Sequence, residues 1–191
     1  GMGGYNAGEV ASGIAVRTVM ELVPPACERE ARNATDPDTS LMRQTIILRD
    51  AIARANRVIH QTAQMQPQCE GMGTTIVACL FYDNRVSIAH VGDSRLYLIR
   101  GNALQLLTAD HSLVQEQVQS GLLTAHDATR APHKHVLTRA VGVHPLVEVE
   151  LGELPVLNGD MFLLCSDGLT AGVSADTILR VVQESSDPQT V

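Results

Sequence analysis

Residues 74–108 read TTIVACLFYDNRVSIAHVGDSRLYLIRGNALQLLT, and their period decides the fold. The apolar runs IVACLFY, RVSIAHV, RLYLIR and ALQLLT are rich in β-branched and aromatic residues. Two-residue turns at Asp83-Asn84 and Gly101-Asn102 punctuate them, which is hairpin chemistry and predicts an antiparallel meander. Antiparallel strands alternate apolar and polar when one face meets water. Residues 76–81 and 161–165 are apolar on both faces, so both sides of the sheet must be covered.

The flanking stretches supply the covers. Asn6 and Glu9 resemble a capping box, and Val10, Ala11, Ile14, Ala15, Thr18 and Leu22 follow at helical spacing until Pro24-Pro25 is expected to stop the helix. Residues 26–35 read as loop. Asp36 and Pro37 then predict the start of a long amphipathic helix with Leu41, Leu48, Ile52, Ala55 and Ile59 on its apolar stripe, ending near Pro67. The later runs HVLTRAV, VEVELGEL and DMFLLC predict a second sheet. Between them, SLVQEQVQSG reads as a short helix ending at Gly121, Thr124 with Asp127 starts another, and Ser174 caps a last helix, ADTILRVVQE. The predicted fold class is α+β: a four-layer α-β-β-α sandwich of two mainly antiparallel sheets flanked by helices. Residues 1–191 read as one domain, with a polar, flap-like excursion over 110–135.

Bulk composition removes several function classes. The 191 residues carry a net charge of −7, 3% aromatics and no tryptophan, which argues against a nucleic-acid partner, because backbone binding and base stacking need a basic groove and flat rings. Cys27, Cys69, Cys79 and Cys165 form no C-x-x-C pair and read as neither a zinc cage nor a redox couple, and Cys79 and Cys165, inside apolar strands, read as reduced, buried side chains. No apolar run of membrane-spanning length is read from the sequence, and the expected location is cytoplasmic.

Two aspartates stand where an apolar strand stops: Asp93 in HVGDSR and Asp167 in LLCSDGLT. Neighbouring glycines let the backbone bend there, and a carboxylate held at a rigid strand end suits a hard cation such as Mg²⁺ or Mn²⁺. Taken singly, Gly-Asp and Asp-Gly are ordinary turn dipeptides.

As an ordered set, GMGGYNAGEVAS, EGMGTT, HVGDSRLYLIR, LTADHSLVQ, HVLTRAVG and LLCSDGLT resemble the bacterial branch of the PPM, or protein phosphatase 2C-type, metal-dependent protein serine/threonine phosphatases. The resemblance implies that Asp167 bridges metal ions, that Asp93 serves a third, weaker metal position, and that Gly1 lends a backbone carbonyl oxygen. It implies two ions, Mn²⁺ or Mg²⁺, with a third in bacterial members. The implied reaction is direct in-line attack on phosphoserine or phosphothreonine by a metal-bridged hydroxide, without a phosphoenzyme. Implied partners are phosphorylated proteins, substrates of a serine/threonine kinase. The family motif has an aspartate before Gly1, preceding strands with a phosphate-binding arginine, and a later G-x-x-D-N segment, so the resemblance also implies a domain incomplete at both termini. Met2 stands where relatives outside the bacterial branch carry a histidine acid, a role methionine cannot fill.

Other readings of the same residues stay open. A non-catalytic domain binding phosphoproteins or regulators would share the fold. A GDSL-type esterase would use Ser94 as nucleophile, but no histidine follows His144 to serve as its base. His133 and His135, with His111 and His126, suggest zinc only weakly and read better as flap-surface histidines. Asp110-His111 reads as a helix-entry pair, His90 as a core histidine, and Arg95 as either a local ion-pair partner or a substrate contact.

Overall fold

A computed structural model describes residues 4–29, 34–128 and 130–184, with side chains from residue 7 onward. Six helices and six strands are described, α1 (Gly4–Arg29), α2 (Arg43–Met65), β1 (Ile76–Tyr82), β2 (Arg85–Val91), β3 (Arg95–Arg100), β4 (Ala103–Leu106), α3 (Leu113–Gln119), α4 (Ala125–Ala128), β5 (Glu150–Pro155), β6 (Met161–Cys165), α5 (Asp167–Gly172) and α6 (Ala175–Glu184). The strands form two antiparallel sheets in the orders β1-β2-β5 and β4-β3-β6.

The predicted meander is therefore two hairpins in different sheets. The turns fall where expected, Asp83 and Asn84 taking φ values of 40° and 58°, the left-handed pair that matches strand twist. After β2, however, the chain crosses to the other sheet through Gly92 (φ 105°), and the later strands divide in the same way. β5 pairs with β2, Ile88 opposite Gly152, and β6 pairs with β3, Tyr97 opposite Leu163. HVLTRAV is no sheet strand. It crosses between elements, bridging Leu137 to Ser112 and Val141 to Thr74.

Alternation along β2 separates two apolar layers. Val86 and Ile88 face the second sheet, packing with Leu96, Val77, Cys79, Leu154 and Phe162. Ala89 and Val91 face the helices, among Leu48, Ile52, Ala55 and Ile59 of α2 and Ala7, Ala11 and Ala15 of α1. Packing a small-residue helix face against α2 brings their axes close, since alanine adds little bulk at the contact. On the far side α5 follows β6 and α6 packs on β4, with Ile178 buried. The four layers are helix, sheet, sheet and helix.

Three boundaries differ from expectation. The first helix does not stop at Pro24-Pro25 but runs to Arg29; the two missing amide hydrogen bonds are offset because Val23 is buried and Cys27 still packs on the core. This uninterrupted helix contains a stretch, Ala7–Arg29, long and apolar enough by length and composition to cross a membrane, which the sequence reading did not find; here it lies along α2. Asp36 does not begin α2. Its carboxylate accepts from the Thr39 amide (3.0 Å) and hydroxyl (2.9 Å), closing a turn that Ser40 ends in the left-handed region (φ 62°), so helix cannot propagate and α2 starts at Arg43. The cap proposed at Asn6 concerns a side chain outside those described, and α1 already includes that residue.

Candidate active site

The ladder between β3 and β6 sets the geometry of the site. Its last rung at one end pairs Arg95 with Cys165. Continuing past that rung, the antiparallel register places Asp93, two residues before Arg95, and Asp167, two residues after Cys165, at the same end of the same sheet. Their stretches mirror each other: Asp-Ser-Arg enters the ladder where Cys-Ser-Asp leaves it.

Both carboxylates line one cleft of about 370 Å³, together with Arg95, Asp110, Lys134 and His135. The opposite wall comes from the 110–135 excursion, where α3 is capped by the Ser112 hydroxyl and Thr124 and Asp127 hold the start of α4. Partial burial pushes the Asp93 carboxyl above its usual range, and the nearby negative charge of Asp167 pushes it further. Asp167 itself is exposed, with His135 Nδ1 3.9 Å from its carboxylate. Two like charges sharing a cleft, one of them partly desolvated, repel each other unless a cation lies between them. The donor set is therefore suited to a hard divalent ion: carboxylate oxygens from rigid strand ends.

The structure assigns other partners to several candidate residues. Arg95 grips Asp110 in a two-point fork, Nε to Oδ1 at 2.8 Å and Nη2 to Oδ2 at 2.6 Å, and this hydrogen bonding raises the guanidinium pKa. Asp110 is thus not a helix-entry residue; Ser112 takes that position. Ser94 shares its hydroxyl with Thr75 Oγ1 at 2.8 Å. His133 Nε2 lies 3.0 Å from Gln117 Oε1. Gly1 and Met2 lie outside the described residues.

Beneath the Asp93 turn is a polar cluster that the sequence did not reveal. His90 and His111 are buried and stacked, ring centroids 4.7 Å apart at 18°. Glu150 stands opposite His90 on β5 and holds His111 Nε2 at 2.9 Å. Ligand atoms of the three residues lie within 4.8 Å of one another, the spacing of a metal site. Hydrogen bonding argues against that use. The Gly92 amide donates to His111 Nδ1 (3.0 Å), so the neutral ring carries its proton on Nε2, the atom a metal would need. Sequence offered no spacing signal for this cluster, because its three members come from different strands and a loop.

A family model described as protein phosphatase 2C matches residues 1–189. The serine/threonine phosphatase stp of Listeria welshimeri is 42% identical over 173 residues, 89% of this chain and 64% of the relative. The crystal structure of the Mycobacterium tuberculosis serine/threonine phosphatase PstP/Ppp superposes with a TM-score of 0.81 at 37% identity, over 95% of this chain and 72% of that one. The PstP catalytic domain in complex with two manganese ions superposes with a TM-score of 0.78 at 36% identity, over 95% of this chain and 70% of that one. The chain spans 64% of the length of its Listeria relative.

Proposed function

We propose that this chain, which belongs to the protein phosphatase 2C family, provides part of a site that hydrolyses phosphoserine and phosphothreonine in proteins. Asp93 and Asp167 hold divalent cations there, two of them with a third at a weaker position, and Gly1 adds a carbonyl oxygen. Mn²⁺ is favoured over Mg²⁺ by the manganese-bound relative. The observation that carries this reading is the register that projects two acids from one sheet end into a single cleft.

Bound cations would supply an activated water and neutralise charge on the phosphoryl oxygens. The chain's own part is placement. Asp167, at the start of α5 and exposed, offers its oxygens to the cleft, while Asp93 is held deeper at the bend between sheets. Arg95, bound to Asp110, stiffens the wall rather than reaching for substrate. Cys69, Cys79 and Cys165 carry free thiols, which suits a reducing compartment, and we place the protein in the cytoplasm. Its partners are phosphoproteins made by a serine/threonine kinase.

The test is Mn²⁺-dependent release of phosphate from a phosphothreonine peptide by the whole protein. Asp167→Asn should abolish turnover, and Asp93→Asn should raise the Mn²⁺ concentration required. Turnover that persists in excess chelator, or survives Asp167→Asn, overturns the assignment.

A further inference from the structure

We propose that residues 109–111 form a clamp that fixes the angle at which Asp93 meets its metal, with His111 as the positioning residue. This rests on the reading of Asp93 as a ligand. The chain from His90 to Arg95 is gripped at three points by three consecutive residues. His90 Nε2 donates to the Ala109 carbonyl at 2.9 Å; Gly92 is held on both sides by His111; Arg95 is forked by Asp110.

The grip on Gly92 is the part that matters for Asp93. Gly92 follows the last residue of β2, so no sheet partner remains for its amide. His111 supplies one: its Nδ1 accepts the Gly92 N–H at 3.0 Å, and its own backbone N–H donates to the Gly92 carbonyl at 3.0 Å. That carbonyl belongs to the peptide whose nitrogen is Asp93. Rotation of this peptide would swing the Asp93 carboxylate, and both bonds oppose it. The ring is itself fixed, by Glu150 at Nε2 and by the stacked His90. An apolar side chain in place of His111 would fill the same space but leave a buried N–H unpaired. A polar ring in so dry a position is explained by this bond, and the clamp acts on the metal through Asp93 without touching it.

The experiment is titration of the metal-free whole protein with Mn²⁺, following the free-ion electron paramagnetic resonance signal, together with hydrogen exchange at the Gly92 amide. His111→Leu removes the acceptor. His111→Asn places an amide oxygen where Nδ1 stands. Loss of an outer partner of a metal ligand typically weakens affinity roughly 10–100-fold, and His111→Leu should fall in that range and speed Gly92 exchange, with His111→Asn recovering most of both. Should His111→Leu fail to fold, Glu150→Ala, at a half-exposed position, should weaken binding roughly 2- to 12-fold, the worth of one hydrogen bond. If Asp93→Asn weakens Mn²⁺ binding but folded His111→Leu or Glu150→Ala does not, the clamp is refuted. If Asp93→Asn itself leaves binding unchanged, the ligand reading fails first.

Discussion

Gly92→Ala tests whether the crossover between sheets is a steric necessity. A Cβ at this position would lie 2.7 Å from Thr75 Cβ and closer still to its Cγ2, while the backbone holds φ at 105°. Thr75 cannot swing away freely, because its hydroxyl is bonded to Ser94 at 2.8 Å. An L-residue in so sparsely populated a region costs ~1–3 kcal/mol, and forcing a methyl into a filled space a further ~1–3 kcal/mol. The expected loss is about 4 kcal/mol, which moves the urea midpoint of the metal-free protein down by about 2 M at a slope of about 2 kcal/mol/M. Thr75→Gly separates the two contributions, since it removes both crowding carbons and leaves the φ cost. Against a Thr75→Gly background, Gly92→Ala should cost about half as much. A single-mutant loss below ~0.5 kcal/mol, the level of an ordinary surface substitution, would refute the reasoning.

Other perturbations probe separate parts of the structure. Glu153 of β5 accepts the Met42 amide at 2.8 Å and the buried Thr45 hydroxyl, capping α2 from across the fold; Glu153→Ala should cost about 2 kcal/mol in urea unfolding by leaving the Met42 amide without this acceptor, while the Thr45 hydroxyl keeps Ser87 as a partner. The Arg100 fork and the Leu157 amide hold the Asp160 carboxyl down at about 2. A depressed carboxylate stabilises above its unfolded value, near 3.8, and that contribution is lost as pH falls toward 2, so Asp160→Asn should flatten acid unfolding over this window, with carbon-detected NMR reporting the titration. The Asp93 carboxyl is shifted the other way, by burial and then by Asp167, so its ionisation opposes folding once pH rises through the folded value. Asp93→Asn should therefore raise the melting temperature of metal-free protein at pH 7 while weakening Mn²⁺ binding; a lower melting temperature would contradict the charge crowding.

Period and turn chemistry made the strands and most helices legible. IVACLFY, the Asp83-Asn84 turn and RVSIAHV read directly as a hairpin, and the Leu48, Ile52, Ala55 and Ile59 stripe gave α2 its buried face. What failed was long-range. Pro24-Pro25 is a strong local stop that tertiary burial of Val23 overrode, and Asp36-Pro37 is a strong local start that Ser40 cancelled. No local rule says which sheet a strand joins, so the split at Gly92 was unreadable, and so was the His90, His111 and Glu150 cluster that depends on it.

The two acids were nevertheless visible, and the register explains why. An acid two residues outside each partner of the terminal Arg95–Cys165 rung emerges at one edge only if the strands run antiparallel. In a parallel pair, a residue before one strand and a residue after the other would sit at opposite ends of the sheet. The motifs HVGDSR and LLCSDGLT thus carry mirrored geometry as well as composition: one acid precedes its strand and the other follows. That mirror lets two positions far apart in the chain, each an ordinary turn residue alone, crowd their charge into one cleft, where Asp167 raises the pKa of Asp93 and makes a divalent cation the natural counter-charge.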